Sequence, residues 1–201
     1  MIQQHLFTPA LEIPMSSTVT TESRTTWNID PAHSGVHFSV KHLVVATVRG
    51  QFDRVSGAVT IDLDHPARSS VHAVIDASSI NTREPQRDAH LRSPDFLDVE
   101  RFPTIEFRST QVVQTGDGYA LTGDLTIHGV TRSVVLAVEA SEAEVRDPYG
   151  NVRRAASATT RINRKDFGLT WNVALEAGGF VVGDELRIEI DVELIREAEI
   201  A

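Results

Sequence analysis

The sequence contains no cysteine, which excludes disulfides, thiolate metal centres and a cysteine nucleophile. No stretch approaches the ~20 consecutive apolar residues that a membrane-spanning helix requires. An excess of basic charge is also missing: 19 Lys and Arg stand against 28 Asp and Glu, a formal net charge of −9. Such a field repels phosphate backbones, so nucleic-acid binding would need a strong local basic patch. The weak candidate is Arg153, Arg154, Arg161, Arg164 and Lys165, with no aromatic residue interleaved. Chemical motifs are absent too. There is no Gly-x-Ser-x-Gly elbow, glycine-rich phosphate loop, dinucleotide fingerprint or His-Glu-x-x-His helix. The N-terminus lacks both a basic region and a continuous apolar core of the kind that export signals carry, so the expected location is the cytoplasm.

What is present is a period of two. Leu186, Ile188, Ile190, Val192 and Leu194 alternate with Arg187, Glu189, Asp191 and Glu193, which gives one apolar and one charged face on a strand. Weaker versions run through Val36, Phe38 and Val40; Val59, Ile61 and Leu63; Ile105 and Phe107; Leu121, Gly123, Leu125 and Ile127; Val134, Leu136 and Val138; and Ala156, Ala158, Thr160 and Ile162. Turn-forming residues separate them at 64–66, 116–118, 128–129, 147–151 and 182–184. These connections are too short for parallel crossovers, so the pattern predicts an all-β, antiparallel sandwich or barrel of about eight strands.

One segment breaks the alternation. Residues 84–99 predict a short helical insertion in two pieces: Pro85 opens the first, and Pro94 with Ser93 as N-cap opens the second. The four-residue spacing of Asp88 and Arg92 suits an ion pair on the outer face. Placed midway through a β chain, this insertion is a natural lid or plug. The expected organisation is a lead-in over residues 1–24, one domain over 25–196 and a tail over 197–201. The Ser/Thr-rich stretch from Ser16 to Thr26 reads as flexible, and Met15 stands ahead of it as a second candidate start.

Eight histidines raise the question of metal. On a strand His37 faces away from Val36 and Phe38 whereas His42 shares their side, so the two cannot converge on one ion, and no metal site is expected. His33 is expected at a turn, capping backbone amides beside Ser34. An imidazole at His42 pointing into an apolar barrel would need a partner, either a buried hydroxyl or a ligand head group.

Taken in order, a set of motifs resembles the YceI-like family of lipocalin-like barrels associated with polyisoprenoid binding. It opens with Trp27, Ile29, Asp30 and His33-Ser34, then Val36, Phe38, Val40 and His42-Leu43. Gly50 and Phe52 follow, then Ser79-Ile80-Asn81-Thr82, Arg87-Asp88, His90-Leu91 and Asp95-Phe96-Leu97-Asp98. Phe102-Pro103, Ile105 and Phe107, the block from Leu125 to Thr131, Asp166-Phe167-Gly168 and Val182-Gly183-Asp184-Glu185 complete it. The resemblance spans about Trp27 to Leu194, most of the chain. It implies an up-and-down barrel whose inner face lines an elongated apolar channel. Many family members look exported, and the N-terminus departs from that pattern.

On this reading the expected lining is Val36, Phe38, Val40, Phe52 and Ile61 from the first half of the chain. Ile105, Phe107, Leu125, Ile127 and Leu136 continue it, and Ile162, Trp171, Ile188 and Ile190 close it. Small inward residues such as Gly50, Ala156 and Ala158, with few aromatics overall, favour a hollow interior over one filled by side chains. His42, Arg87 and His90 are candidates for the polar end of a ligand. The competing reading of the helix has Arg87 and Asp88 clamp it to the wall by hydrogen bonds while Leu91 and Phe96 pack beneath. The expected activity is carriage of an amphipathic, isoprenoid-like or other lipid ligand, with no cofactor. The alternatives are an enzyme acting on a lipophilic substrate through His42 or His90, and an interaction module, with a homodimer as one compatible assembly.

Overall fold

In the computed structural model, residues 24–197 are described, apart from 44, 142 and 176–178. The strands are β1 (Arg24–Ile29), β2 (Gly35–His42), β3 (Ala46–Phe52), β4 (Val55–Asp62), β5 (Ser70–Asp76) and β6 (Ile80–Asn81). After the helix α1 (Pro85–Arg92) come β7 (Thr104–Thr115), β8 (Gly118–Ile127), β9 (Val130–Ala140), β10 (Val145–Arg146), β11 (Val152–Asn163) and β12 (Val182–Arg196).

Three pairs of these strands are single long strands interrupted by an irregularity. β1 and β2 run in succession along β12, from Asn28 opposite Ile195 to His42 opposite Val182. β3 and β4 follow them in the same way, Val36 facing Phe52 and Asn28 facing Ala58. β5 and β6 make the third such pair, against β4 and β3. The meander continues through β7, β8, β9 and β11, and β11 closes on β12 over the full run from Arg153–Ile195 to Asn163–Glu185. The result is a closed, antiparallel, up-and-down barrel of eight staves, in which two seams pair over part of their length: β9 meets β11 over Ala137–Ala140, and β3 meets β6 at Gln51 and Phe52.

The period of two becomes the inside and outside of this barrel. The loop at His128-Gly129 shows how tightly the hairpins are set: φ is +51° and +73° at its two residues, the left-handed pair that a type I′ turn needs to match strand twist. Two expectations are corrected. Residues 182–184 form the start of β12, not a turn, with an irregular register between Val182 and Leu186. Arg24, the last residue of the expected lead-in, and Thr25 and Thr26, which end the stretch read as flexible, belong to β1 and pair with Asp62, Ile61 and Thr60. Residues 1–23, and the tail beyond residue 197, lie outside the described residues.

The helical insertion is one helix followed by turns. Glu84 caps α1 by accepting from the Gln86 N–H, and Phe96 N–H closes a turn on Ser93 O. The expected Asp88–Arg92 ion pair does not form. Asp88 is buried and accepts from Thr82 N–H (2.9 Å) and Thr82 Oγ1 (2.5 Å), while Arg92 donates to the carbonyls of Ser78 and Ile80. Both side chains therefore fasten α1 to the segment before it instead of to each other.

On the outer wall, Arg153 joins three parts of the chain. Its guanidinium donates to Asp30 and Glu193 (2.6 Å each) and to Asp147 (2.7 Å). His33 also bonds Asp30, through Nδ1 at 2.8 Å, so it serves this cluster and not the amide-capping role expected of it. Hydrogen bonds from Arg153 and then His33 pull the Asp30 pKa from 3.8 to about 2. A carboxylate depressed by folding contributes stability above its unfolded pKa, and that share is lost as pH falls through the folded value. Thermal stability should therefore hold down to about pH 4 and fall below it. Asp30→Asn should show a shallower acid slope in a melting series from pH 5 to pH 2. Identical slopes for the two proteins would remove Asp30 from the account.

Candidate functional site

The barrel is hollow. A cavity of about 830 Å³ runs along its axis, within the ~300–1,000 Å³ typical of small-molecule sites. At the end carrying the β4–β5 and β7–β8 connections it reaches exposed residues, Leu63, Gly116 and Asp117, which form its mouth. At the other end Leu91, Phe96, Leu97 and Leu169 close it. Those last three are buried, so the insertion acts as the floor of the tube.

The wall is aliphatic because each stave turns its even-spaced apolar side inward. Val36, Phe38, Val40, Phe52 and Ile61 lie on it, as do Ile105, Phe107, Leu125, Ile127 and Leu136, and Ile162, Ile188 and Ile190. Trp171 does not. It packs against Phe96 (5.1 Å) and His90 (4.7 Å), behind the floor. Strand alternation had no purchase on Trp171, which belongs to no strand. Space inside depends on residues without bulk. At Gly123 a Cβ would fall 2.4 Å from the Phe107 ring, so a glycine there lets that ring lie flat against the wall.

None of the three candidates for a polar end reaches the cavity. His42, the last residue of β2, is half-buried and not part of the wall. Arg87 is exposed and donates from Nε to Thr82 Oγ1 (2.7 Å) and from Nη2 to Thr82 O (2.8 Å). His90 bonds Asp95 at 2.9 Å and stands edge-on to Phe96 and Trp171. The clamp is the geometry found: Arg87 and Asp88 converge on Thr82, with Leu91 and Phe96 beneath.

The charged residues that do line the cavity are others. Arg154 sits near the mouth, Arg164 at the floor, and Asp62 beside the β4–β5 loop. A signal for the two arginines was available. Extending the inward run of Ala156, Ala158, Thr160 and Ile162 by one step either way lands on Arg154 and Arg164. Arg164 is 3% exposed and commits its donors to the carbonyls of Gly183, Leu169, Trp171 and Val182 and to Asp184. Asp62 accepts from the His65 N–H at 2.8 Å.

The five basic residues weighed above as a patch do not make one. Arg153, Arg154, Arg161, Arg164 and Lys165 each pair with a carboxylate. Asp30, His33 and Glu193 lie close enough to share a metal ion, but the Arg153 guanidinium already bridges Asp30 and Glu193.

A closed eight-stave barrel with an apolar bore and a helical floor defines a lipocalin-like barrel. Residues 27–194 match the YceI-like domain family, and the chain belongs to that family. A UPF0312 protein of Yersinia pestis (strain Pestoides F) is 38% identical over 138 residues, covering 69% of this chain and 71% of the relative. Among solved structures, Burkholderia cenocepacia BcnA superposes with a TM-score of 0.70 at 23% identity, covering 82% of this chain and 98% of BcnA. A polyisoprenoid binding domain from Saccharophagus degradans gives 0.62 at 16% identity, with 86% and 99% covered. At these identities the two structures establish the fold.

Proposed function

We propose that the protein is a carrier that holds an amphipathic, isoprenoid-like or other long-chain lipid inside the barrel. The observation that bears this reading is the largely apolar bore of about 830 Å³ that opens beside Leu63, Gly116 and Asp117. An empty apolar tube of that size is a poor place for water and a good one for hydrocarbon. Burial of ligand surface at ~25 cal/mol per Å² supplies the driving force, offset by the cost of association. Membership of the YceI-like family and the fold shared with a polyisoprenoid binding domain support the same class of ligand.

The enzyme reading asked His42 or His90 to act as acid–base group in this cavity. A general base must come within hydrogen-bond reach of its substrate, and neither imidazole is on the wall. That placement favours binding over catalysis. The test is native mass spectrometry of gently purified protein. The expected result is a non-covalent adduct with the mass of an amphiphile, or uptake of one from a lipid extract. Protein that arrives empty and stays empty would overturn the proposal.

A further inference from the structure

We propose that the mouth of the barrel is a seat for an acidic head group, so that the ligand is a long-chain carboxylate or phosphate ester inserted tail first. This rests on the carrier reading and adds the chemistry of the polar end. Arg154 on β11, which lines the cavity near its mouth, and Arg196, the last residue of β12, which does not line it, meet over Trp27, with guanidinium carbons 5.4 and 4.9 Å from the indole ring. Trp27 is fully buried, and its face attracts both cations.

The two guanidiniums share one carboxylate. Glu144 Oε1 accepts from Arg154 Nε (3.3 Å) and Nη2 (3.0 Å) and from Arg196 Nη2 (2.6 Å). Among the described residues this leaves Arg154 Nη1 without a hydrogen bond, and Arg196 Nε is buried with no partner. The Arg154 side chain is only 10% exposed and forms part of the cavity wall. A partly desolvated pair of cations facing a single anion favours a second anion.

The two other carboxylates that line the cavity belong to other staves: Asp62, on β4, accepts from the His65 backbone N–H and stands opposite Arg24 in the β1–β4 register, and Asp117 is exposed at the tip of the β7–β8 turn. Among the described residues the opposite end offers nothing comparable, because Arg164 there is committed to backbone carbonyls and Asp184. A charged head group pushed to that floor would be buried among Phe96, Leu97 and Leu169 at high cost, whereas at the mouth it meets donors already in place.

The experiment is displacement of a neutral fluorescent probe, N-phenyl-1-naphthylamine, by tetradecanoic acid, tetradecyl phosphate and tetradecan-1-ol, each below its micellar concentration. Wild type should bind the acid or the phosphate ester at least about tenfold more tightly than the alcohol. In Arg154→Gln the preference should shrink to about threefold or less with alcohol affinity retained, and in Glu144→Gln it should widen, because the competing carboxylate is gone. Glu144→Gln keeps the test decisive if Arg154→Gln folds poorly. Equal binding of acid and alcohol, or a ratio that neither variant moves, overturns the head-group assignment alone. Failure of every chain to bind overturns the carrier reading and this one with it. Displacement by inorganic phosphate alone would mean a free-anion site and overturn the claim of an amphiphile.

Discussion

Replacing Ala158 by tryptophan should abolish uptake of a long-chain ligand and leave the barrel folded. Ala158 lies on the inner face of β11, level with Ile190 on β12 and Val138 on β9, and all three line the cavity. An indole there enters space that no side chain now occupies. In a packed core such an insertion costs about 1–3 kcal/mol through forced rotamers and backbone shifts, but a void absorbs it, and the added apolar contact offsets part of the strain. For a ligand the outcome is the reverse. The ring cuts the bore in two and denies the tail everything between mid-barrel and the floor at Phe96 and Leu97. Loss of half of the buried tail should lower affinity by roughly a hundredfold or more. The control is Thr159→Trp, one residue along on the exposed face of the same strand, which should bind as wild type does. Probe-displacement titrations and melting curves on the three proteins decide the matter. If Ala158→Trp binds as tightly as Thr159→Trp, the ligand does not occupy the bore.

Much of this architecture can be read directly from the chain, and the reason is geometric. A strand assigns alternate residues to opposite faces, so a one-sided apolar run such as Leu186 to Leu194 identifies both the element and its inward side. Eight staves of that kind fix the wall of the cavity residue by residue. The same logic reached its limit where contacts are not periodic. Val182, Gly183 and Asp184 have the composition of a turn, yet β12 starts there because Arg164 and Asn172, ten or more residues upstream, hold the Val182 and Gly183 carbonyls. Trp171, expected on the wall, has no strand alternation to place it and lies behind the floor with His90. Polar roles were least legible. Histidines and the helix arginine drew notice by residue type, whereas Arg154 and Arg196 have no motif: each lies one step beyond an inward apolar run, and barrel closure brings the ends of β1, β11 and β12 together.

Arg164→Met should be the most destabilising single substitution at the floor of the barrel. Methionine matches the length of the arginine stem and keeps its packing, so the change isolates the guanidinium. That group sits at the end of β11, 3% exposed, and ties Leu169 and Trp171 to the start of β12. Nη1 donates to Leu169 O (2.5 Å) and Trp171 O (2.9 Å), Nε to Gly183 O (2.9 Å), and Nη2 reaches Asp184 (3.2 Å). Burial lowers the guanidinium pKa and Asp184 opposes that shift, yet arginine stays protonated at any working pH. Without it, the carbonyls of Gly183, Leu169 and Trp171 lose a donor together, while Asp184 keeps Lys165 and the Val182 carbonyl keeps Asn172, and removing one member of a buried charged network typically costs about 3–5 kcal/mol. For a domain of this size that corresponds to a fall in Tm on the order of 10 °C. Arg164→Lys should recover only a fraction of the loss, since one ammonium cannot span acceptors that the planar fork reaches from two sides. A melting temperature for Arg164→Met within a degree or two of wild type would show that the 164–184 segment is held by other means. Because Leu169 and Phe96 close the cavity beside this network, the destabilised variant should also exchange a bound lipid faster than wild type.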